Sequence, residues 1–201
     1  MKVPDVTTDN AKLRIVRAAT ELFRKQGVRR TSPDEIIEAS GTGKGQFYHF
    51  FKNKGGLVHE VLRYHLDRIE NGTFPVNFDV DSWEALQSWF DAQIELQRRY
   101  SKTRACPIGT IGNDVTEQDE LIRKDVAQIF DVITRKLGNF FRKEKAAGRL
   151  AKGADEEALA TLCVSAMQGA MLLCKVARTT RPAEQAARAT LAHIQSFRVG
   201  S

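Results

Sequence analysis

The sequence of 201 residues predicts an all-α chain, a short helix-turn-helix head followed by a longer helical body, on three observations. Apolar residues recur every three to four positions along most of its length, with no convincing run of alternating apolar and polar residues. Two short periodic segments near the N-terminus flank a glycine-containing break of a few residues. The charge is uneven: residues 1–55 hold 11 Lys and Arg against 6 Asp and Glu, while the remainder carries 20 against 19. A cationic end on a near-neutral body suits a polyanionic partner, nucleic acid or an anionic membrane being the usual candidates.

The first helix is predicted over Asp9–Gln26, where Ile15, Ala18, Ala19, Leu22 and Phe23 share one face and Gly27 stands at the stop. Ser32-Pro33-Asp34-Glu35 combines an N-cap serine, a proline at the first helical position and a glutamate placed to close a capping box. Ser40-Gly41-Thr42-Gly43 breaks that helix after about two turns, and a third short segment follows with Lys44, Gln46, Phe47, Tyr48 and His49. A longer helix is expected from after Lys54 to Glu70, with Leu57, Val58, Val61, Leu62, His65 and Ile69 on one side. Further helices are read near 81–101, 117–147, 155–178 and 182–198. The helix at 155–178 is apolar on two sides: Leu159, Leu162, Cys163, Ala166, Ala170 and Leu173 form a stripe, with Met167 and Met171 off it. With the stripe Ala187, Leu191 and Ile194 it suits a four-helix interface between two copies, or completion of one copy's core.

Composition is ordinary for a globular protein, 42% hydrophobic and 28% charged, which sets aside wholesale disorder and fibrous repeats. No apolar stretch reads as approaching the roughly 18 residues that span a bilayer, and Met1-Lys2-Val3-Pro4-Asp5 has no signal-type apolar core, so a soluble, cytoplasmic chain without membrane partners is expected. Three cysteines without paired spacing argue for reduced thiols. Gly41-Thr42-Gly43-Lys44 evokes a phosphate loop but has Glu38 and Gly45 where a glycine and a hydroxyl are needed. His59-Glu60-Val61-Leu62-Arg63 supplies arginine where a zinc-protease helix needs its second histidine. No metal, cofactor or catalytic constellation is assigned.

Ile15–Phe23, Gly27, Thr31-Ser32, Gly41–Phe51, Lys52-Asn53-Lys54 and Leu57 together resemble the N-terminal DNA-binding domain of the TetR family of transcriptional regulators. The resemblance covers about a quarter of the chain. A recognition helix presents its N-terminal residues to base edges, and Gly43, Lys44, Gly45 and Gln46 suit that task, Gln46 offering an amide edge to adenine and Lys44 a cation to guanine or phosphate. The resemblance implies further that Thr42 belongs to this DNA-contacting set, that Thr31, Tyr48, His49 and Lys54 hold the DNA backbone, and that Phe47 with Phe50 or Phe51 anchors the helix. Two departures stand out. Gly43 replaces a frequent side-chain donor, and Gly55-Gly56 follow Lys54 where an acidic residue is usual, from which a looser start to the fourth helix is expected.

Cys106 sits just before Pro107, a favoured first-helical residue, and after Lys102 and Arg104. That setting lowers a thiol's pKa and suits an effector sensor, or else the cysteine is packed and unreactive. The segment Cys106–Asn113 resembles a Cys-x-x-Gly stretch of a TetR subgroup, some of whose members respond to electrophiles, oxidants or small unsaturated acids. Phe90, Gln93, Ile94, Gln97 and Tyr100 interleave polar with apolar groups as a ligand pocket does. The combined expectation is a three-helix DNA-binding domain over 1–54 and a helical ligand-binding and dimerisation domain over 55–201. The partners expected are a double-stranded DNA operator, a small-molecule effector and a second copy of the chain. The alternative is a small-molecule-binding helical protein whose basic head docks a protein or an anionic surface.

Overall fold

A computed structural model describes residues 6–99, 106–114 and 119–199, and among these the chain forms nine α-helices and no strand. It divides into two compact units, Met1–Asp67 with Pro107–Ala127, and Arg68–Cys106 with Gln128–Ser201. The first unit thus runs past residue 54 and takes in a second stretch of chain.

In the first unit α1 (Val6–Gln26) packs on α2 (Pro33–Ser40), α3 (Lys44–Phe50) and α6 (Pro107–Asn113). The core is built from Ile15, Ala19, Phe23, Ile36, Phe47 and Phe51, with Leu57, Val61 and Leu62 from α4 (Lys54–Glu70). The capping box forms as the sequence predicts: Ser32 Oγ accepts from the Glu35 N–H, and the Glu35 carboxylate accepts from the Ser32 N–H at 2.7 Å. The Ser32 N–H, with the Gln26 amide and the Ser32 hydroxyl, holds the Glu35 carboxyl below its ordinary value. Gly41 ends α2 in the left-handed region, at φ +60°. The expected loose start of α4 is not found. The helix begins at Lys54 because the Asn53 carboxamide accepts from the Gly56 N–H at 2.9 Å, capping the turn that the glycines would otherwise leave open.

The second unit holds α5 (Trp83–Arg99), most of α7 (Glu120–Ala146), α8 (Glu156–Ala177) and α9 (Arg181–Gln195). α8 and α9 pack closely and both touch α5. Asp155 caps α8, accepting from the N–H groups of Glu157 and Ala158. Of the two apolar sides expected of α8, the core takes Leu159, Ala160, Cys163, Met167, Ala170, Met171 and Cys174, so both methionines lie inside while Leu173 is 57% exposed. With two apolar faces on one helix, composition alone could not tell which faced the core. The same apolarity makes α8 long and apolar enough to cross a membrane, with mean hydropathy 1.6 over 18 residues, contrary to the expectation that no stretch approached that length. Ala187, Leu191 and Ile194 of α9 are buried within the chain itself. Burial pushes the Cys163 thiol up to about 12 and raises Cys174, which leaves both as small hydrophobes.

Glu144, only 4% exposed near the end of α7, ties together the start of α5 and the C-terminal segment of the chain. Its carboxylate accepts from Trp83 Nε1 at 2.7 Å and from Arg149 Nε at 3.0 Å, and the Arg198 guanidinium lies 4.6 Å from the Trp83 ring centre. Arg149 chiefly, helped by the Trp83 indole, holds the Glu144 carboxyl below its ordinary value against the effect of burial. A depressed carboxylate stabilises the fold above its unfolded-state pKa and loses that effect as the pH falls through the folded value. Glu144→Ala should therefore lower unfolding stability at neutral pH by about 1–3 kcal/mol, the Trp83 N–H being left without its acceptor. Chemical denaturation repeated at falling pH should show the gap to the parent closing below the ordinary carboxylate range.

Candidate nucleic-acid interface

Between Gly41 and Lys54 the chain presents one narrow polar surface. α3 buries only Phe47, which is fully inaccessible, and Phe51 just after the helix is buried beside it with ring centres 5.8 Å apart. Phe50 is half-buried, so Phe47 and Phe51 are the anchoring pair. Gly43, Lys44, Gly45, Gln46, Tyr48 and His49 are all exposed. A Cβ placed on Gly43 or Gly45 would meet nothing within 4 Å, so the backbone at this tip is open to close approach. Gln46 Oε1 accepts from the Gly43 N–H at 3.3 Å, the half of a capping box that asks for no side chain on Gly43.

The other expected residues take different positions. Lys44 pairs with Asp34 of α2 at 3.0 Å with both side chains exposed, and that hydrogen bond raises the lysine's pKa. Thr42 is half-buried and its hydroxyl lies 2.7 Å from that of Ser40. Thr31 is 1% exposed, and its hydroxyl donates to the Gly27 carbonyl, so the side chain holds the turn between α1 and α2. Lys54 Nζ donates to the Thr31 carbonyl at 3.0 Å and lies 3.5 Å from that of Arg29. The same turn is held from the residue that follows α6, Asp114, whose Oδ2 accepts from the Val28 N–H at 2.8 Å. Sequence reasoning missed Asp114 because its partner is far away in the chain.

A model for bacterial regulatory proteins of the tetR family matches residues 15–61, and a model for the C-terminal domain of LmrA/YxaF-like transcriptional regulators matches residues 82–189, more than half of the chain. The chain belongs to the TetR family of transcriptional regulators. It is similar to the transcriptional regulator AcuR of Cereibacter sphaeroides, 26% identical over 165 residues that make up 81% of this chain and 75% of that one. It is also similar to the repressor DhaR of a Mycobacterium species, 24% identical over 174 residues, 85% of each chain. The structure of a regulatory protein TetR from Rhodobacter sphaeroides superposes with a TM-score of 0.78 at 24% identity, covering 91% of this chain and 98% of that one. Members of this family are DNA-binding regulators rather than enzymes, which makes the α2–α3 pair a DNA-binding helix-turn-helix.

In this TetR-family chain the residues expected to meet an effector separate into groups. Phe90 is fully buried, and Gln93 and Gln97 are 7% and 3% exposed. Ile94 lies on the floor of a separate groove of about 510 Å³ between α5 and α9, with Arg98, Glu184 and Arg188 at its edges. Tyr100 lies outside the described residues, as do Lys102 and Arg104. Cys106 is half-buried immediately before α6, in the position expected of it, and forms no disulfide. Trp89 is buried at 3% exposure with no partner for its indole N–H among the described residues, a fact that only tertiary structure could reveal. No cluster of three or more His, Cys, Asp or Glu able to hold a metal occurs among the described residues.

The open tip yields a direct test. Gly45→Leu adds a side chain into empty space in the free protein, so its thermal stability should be equal to or above the parent's, by up to about 1 kcal/mol from helix propensity. The same side chain would stand between the helix and the base edges. A mobility-shift titration should show operator affinity reduced at least tenfold, and unchanged affinity would remove the tip from the interface.

Proposed function

We propose that this chain works as a homodimeric repressor, held on a near-palindromic operator and released by a small effector. The observation that carries the reading is the exposed segment Gly43–Gln46, open at its glycines and borne on the end of the chain that holds nearly all the net charge. Two such tips would enter successive major grooves about 34–36 Å apart. Gln46 offers its amide edge to adenine, and Lys44 turns from Asp34 to guanine or phosphate. Tyr48, His49 and Lys54 take the DNA backbone, with Thr31 acting through the turn that it fastens and Thr42 beside the tip. The repressor sense is favoured by DhaR, a relative named as one.

Pairing of two copies is supported by α8, whose outward face leaves Leu172, Leu173 and Val176 50%, 57% and 73% exposed beside the unobstructed Gly169. The effector is assigned to the α5 residues Phe90, Gln93 and Gln97, with Ile94 and Tyr100 next to them in sequence, and Cys106 provides a second trigger through modification of its thiol. Coupling of about 1–3 kcal/mol, a 5–150-fold change in operator affinity, suffices for release. α4 and α7 run unbroken from one unit's residues into the other's and provide the covalent link. The work of such a protein places it in the cytoplasm.

A mobility-shift assay against the region upstream of its own gene tests the reading. Affinity should fall steeply with salt, with a logarithmic slope of about −0.9 per phosphate contacted, and a flat response would rule the footprint out. Gln46→Ala should relax base preference, whereas Lys54→Ala should weaken all sequences alike and flatten the slope by about one unit. Cys106→Ser should abolish release by electrophiles, and release that persists would exclude the thiol trigger.

A further inference from the structure

α5 carries polar side chains where a buried helix should be most apolar. At about 100° per residue, the buried positions Leu86, Trp89, Phe90, Gln93, Ile94 and Gln97 occupy one arc, and both glutamines fall inside it rather than at its edges. Trp89, Gln93 and Gln97 succeed one another at i, i+4 and i+8, with about 6 Å of helix rise between neighbours. All three are more than nine-tenths buried. Among the described residues Trp89 Nε1, Gln93 Nε2 and Gln97 Oε1 have no hydrogen-bond partner. Trp83, the chain's other tryptophan, shows the contrast, its Nε1 donating to Glu144. Buried polar groups are almost always paired, so the row marks a place whose partner comes from outside the chain.

The order of donors and acceptor defines that partner. Trp89 and Gln93 offer N–H groups to an acceptor, and Gln97 offers an oxygen to a donor. A carboxylate brings acceptors only and needs a cation to replace its lost hydration, whereas an uncharged group with both a donor and an acceptor can meet the amides in either orientation. Glu144 is the one buried carboxylate among the described residues of this unit, which buries no Lys, Arg or His, and it is already paired with Arg149. Phe90 and Phe78, with ring centres 4.8 and 6.5 Å from that of Trp89, add apolar walls. We infer that the Trp89–Gln93–Gln97 row is an internal site for a small uncharged molecule carrying a carbonyl acceptor together with a hydrogen-bond donor, a primary amide being the simplest. The inference rests on the effector reading above and gives that effector its chemistry.

The test uses the full-length protein without DNA. Benzamide and 4-hydroxybenzamide are titrated against their carboxylate counterparts, benzoate and 4-hydroxybenzoate, with tryptophan emission and thermal unfolding as readouts. The amides should bind, and the carboxylates should bind at least tenfold more weakly. Gln93→Met and Gln97→Met, which keep the volume and remove the unpaired groups, should retain or gain thermal stability while weakening amide binding at least tenfold. The inference is overturned if neither amide binds, if the carboxylates bind as well, or if the variants lose stability while binding is unchanged, since the amides would then serve the fold or buried water alone. An operator mobility shift run without probe keeps the two claims apart: amide binding without operator affinity leaves the site standing and sinks the repressor reading, and the reverse sinks the site alone.

Discussion

The position of the recognition helix depends on one aromatic ring. α3 is seven residues long, below the length at which a helix holds itself together in water, and its one buried side chain is Phe47. That ring lies edge-on to Tyr48 at 5.2 Å and packs near Phe51, in a core shared with α1 and α4. Since the rest of α3 faces outward or lies half-buried, its orientation is set by Phe47 and by what fixes its two ends. Gly41 reverses the chain before it, and Asn53 starts α4 directly after it. The turn at residues 27–31, which leads into α2, is fastened by the Thr31 hydroxyl, the Lys54 ammonium and the Asp114 carboxylate. Lys54 is thus a structural cation as well as a candidate phosphate contact. A shift of Asp114 would reach α3 through that turn and the short helix after it.

How far each part was legible in the sequence follows from the range of the interaction responsible. The capping box at Ser32 and Glu35 is a relation between residues three apart and could be read directly. So could the buried side of α4, where Leu57, Val58, Val61, Leu62, His65 and Ile69 are all inside. The start of α4 was misjudged because glycine propensity was weighed without the Asn53 cap. The core face of α8 could not be read, because a helix with two apolar sides satisfies the same periodicity either way, and only the packing of α9 and α5 decides between them. Asp114 had no local signal, since its partner Val28 is separated from it by most of the helical head and the first half of the body.

The candidate sites show the same division. The exposed tip Gly43–Gln46 could be read from residue type and spacing, as could Gln93 and Gln97 on one flank of α5. Thr31 could not be, because a threonine before an N-cap serine looks equally suited to phosphate or to its own backbone, and burial directs it inward. Trp89 reads as core by size. Whether an indole N–H inside a protein has found an acceptor depends on what lies across from it, as the difference between Trp83 and Trp89 demonstrates.

The two tryptophans also indicate how the body can be both stable and receptive. Leaving a buried polar group unpaired disfavours folding by about 1–3 kcal/mol, so three on one helix are tolerated only where other interactions are secure. The Glu144 network, the Asp155 cap and the close packing of α8 on α9 supply that security. A ligand that completes the row binds the folded chain and not the unfolded one, and at 100 times its dissociation constant stabilises the fold by about 2.7 kcal/mol. Stabilisation alone does not alter affinity for DNA. The ligand changes operator binding only by the amount that it prefers one conformation of the protein over another. A row of two donors and an acceptor at one-turn spacing is suited to such a preference. All three bonds must meet atoms of one small molecule, so a modest displacement of α5 against the rest of the site would lose one or two of them.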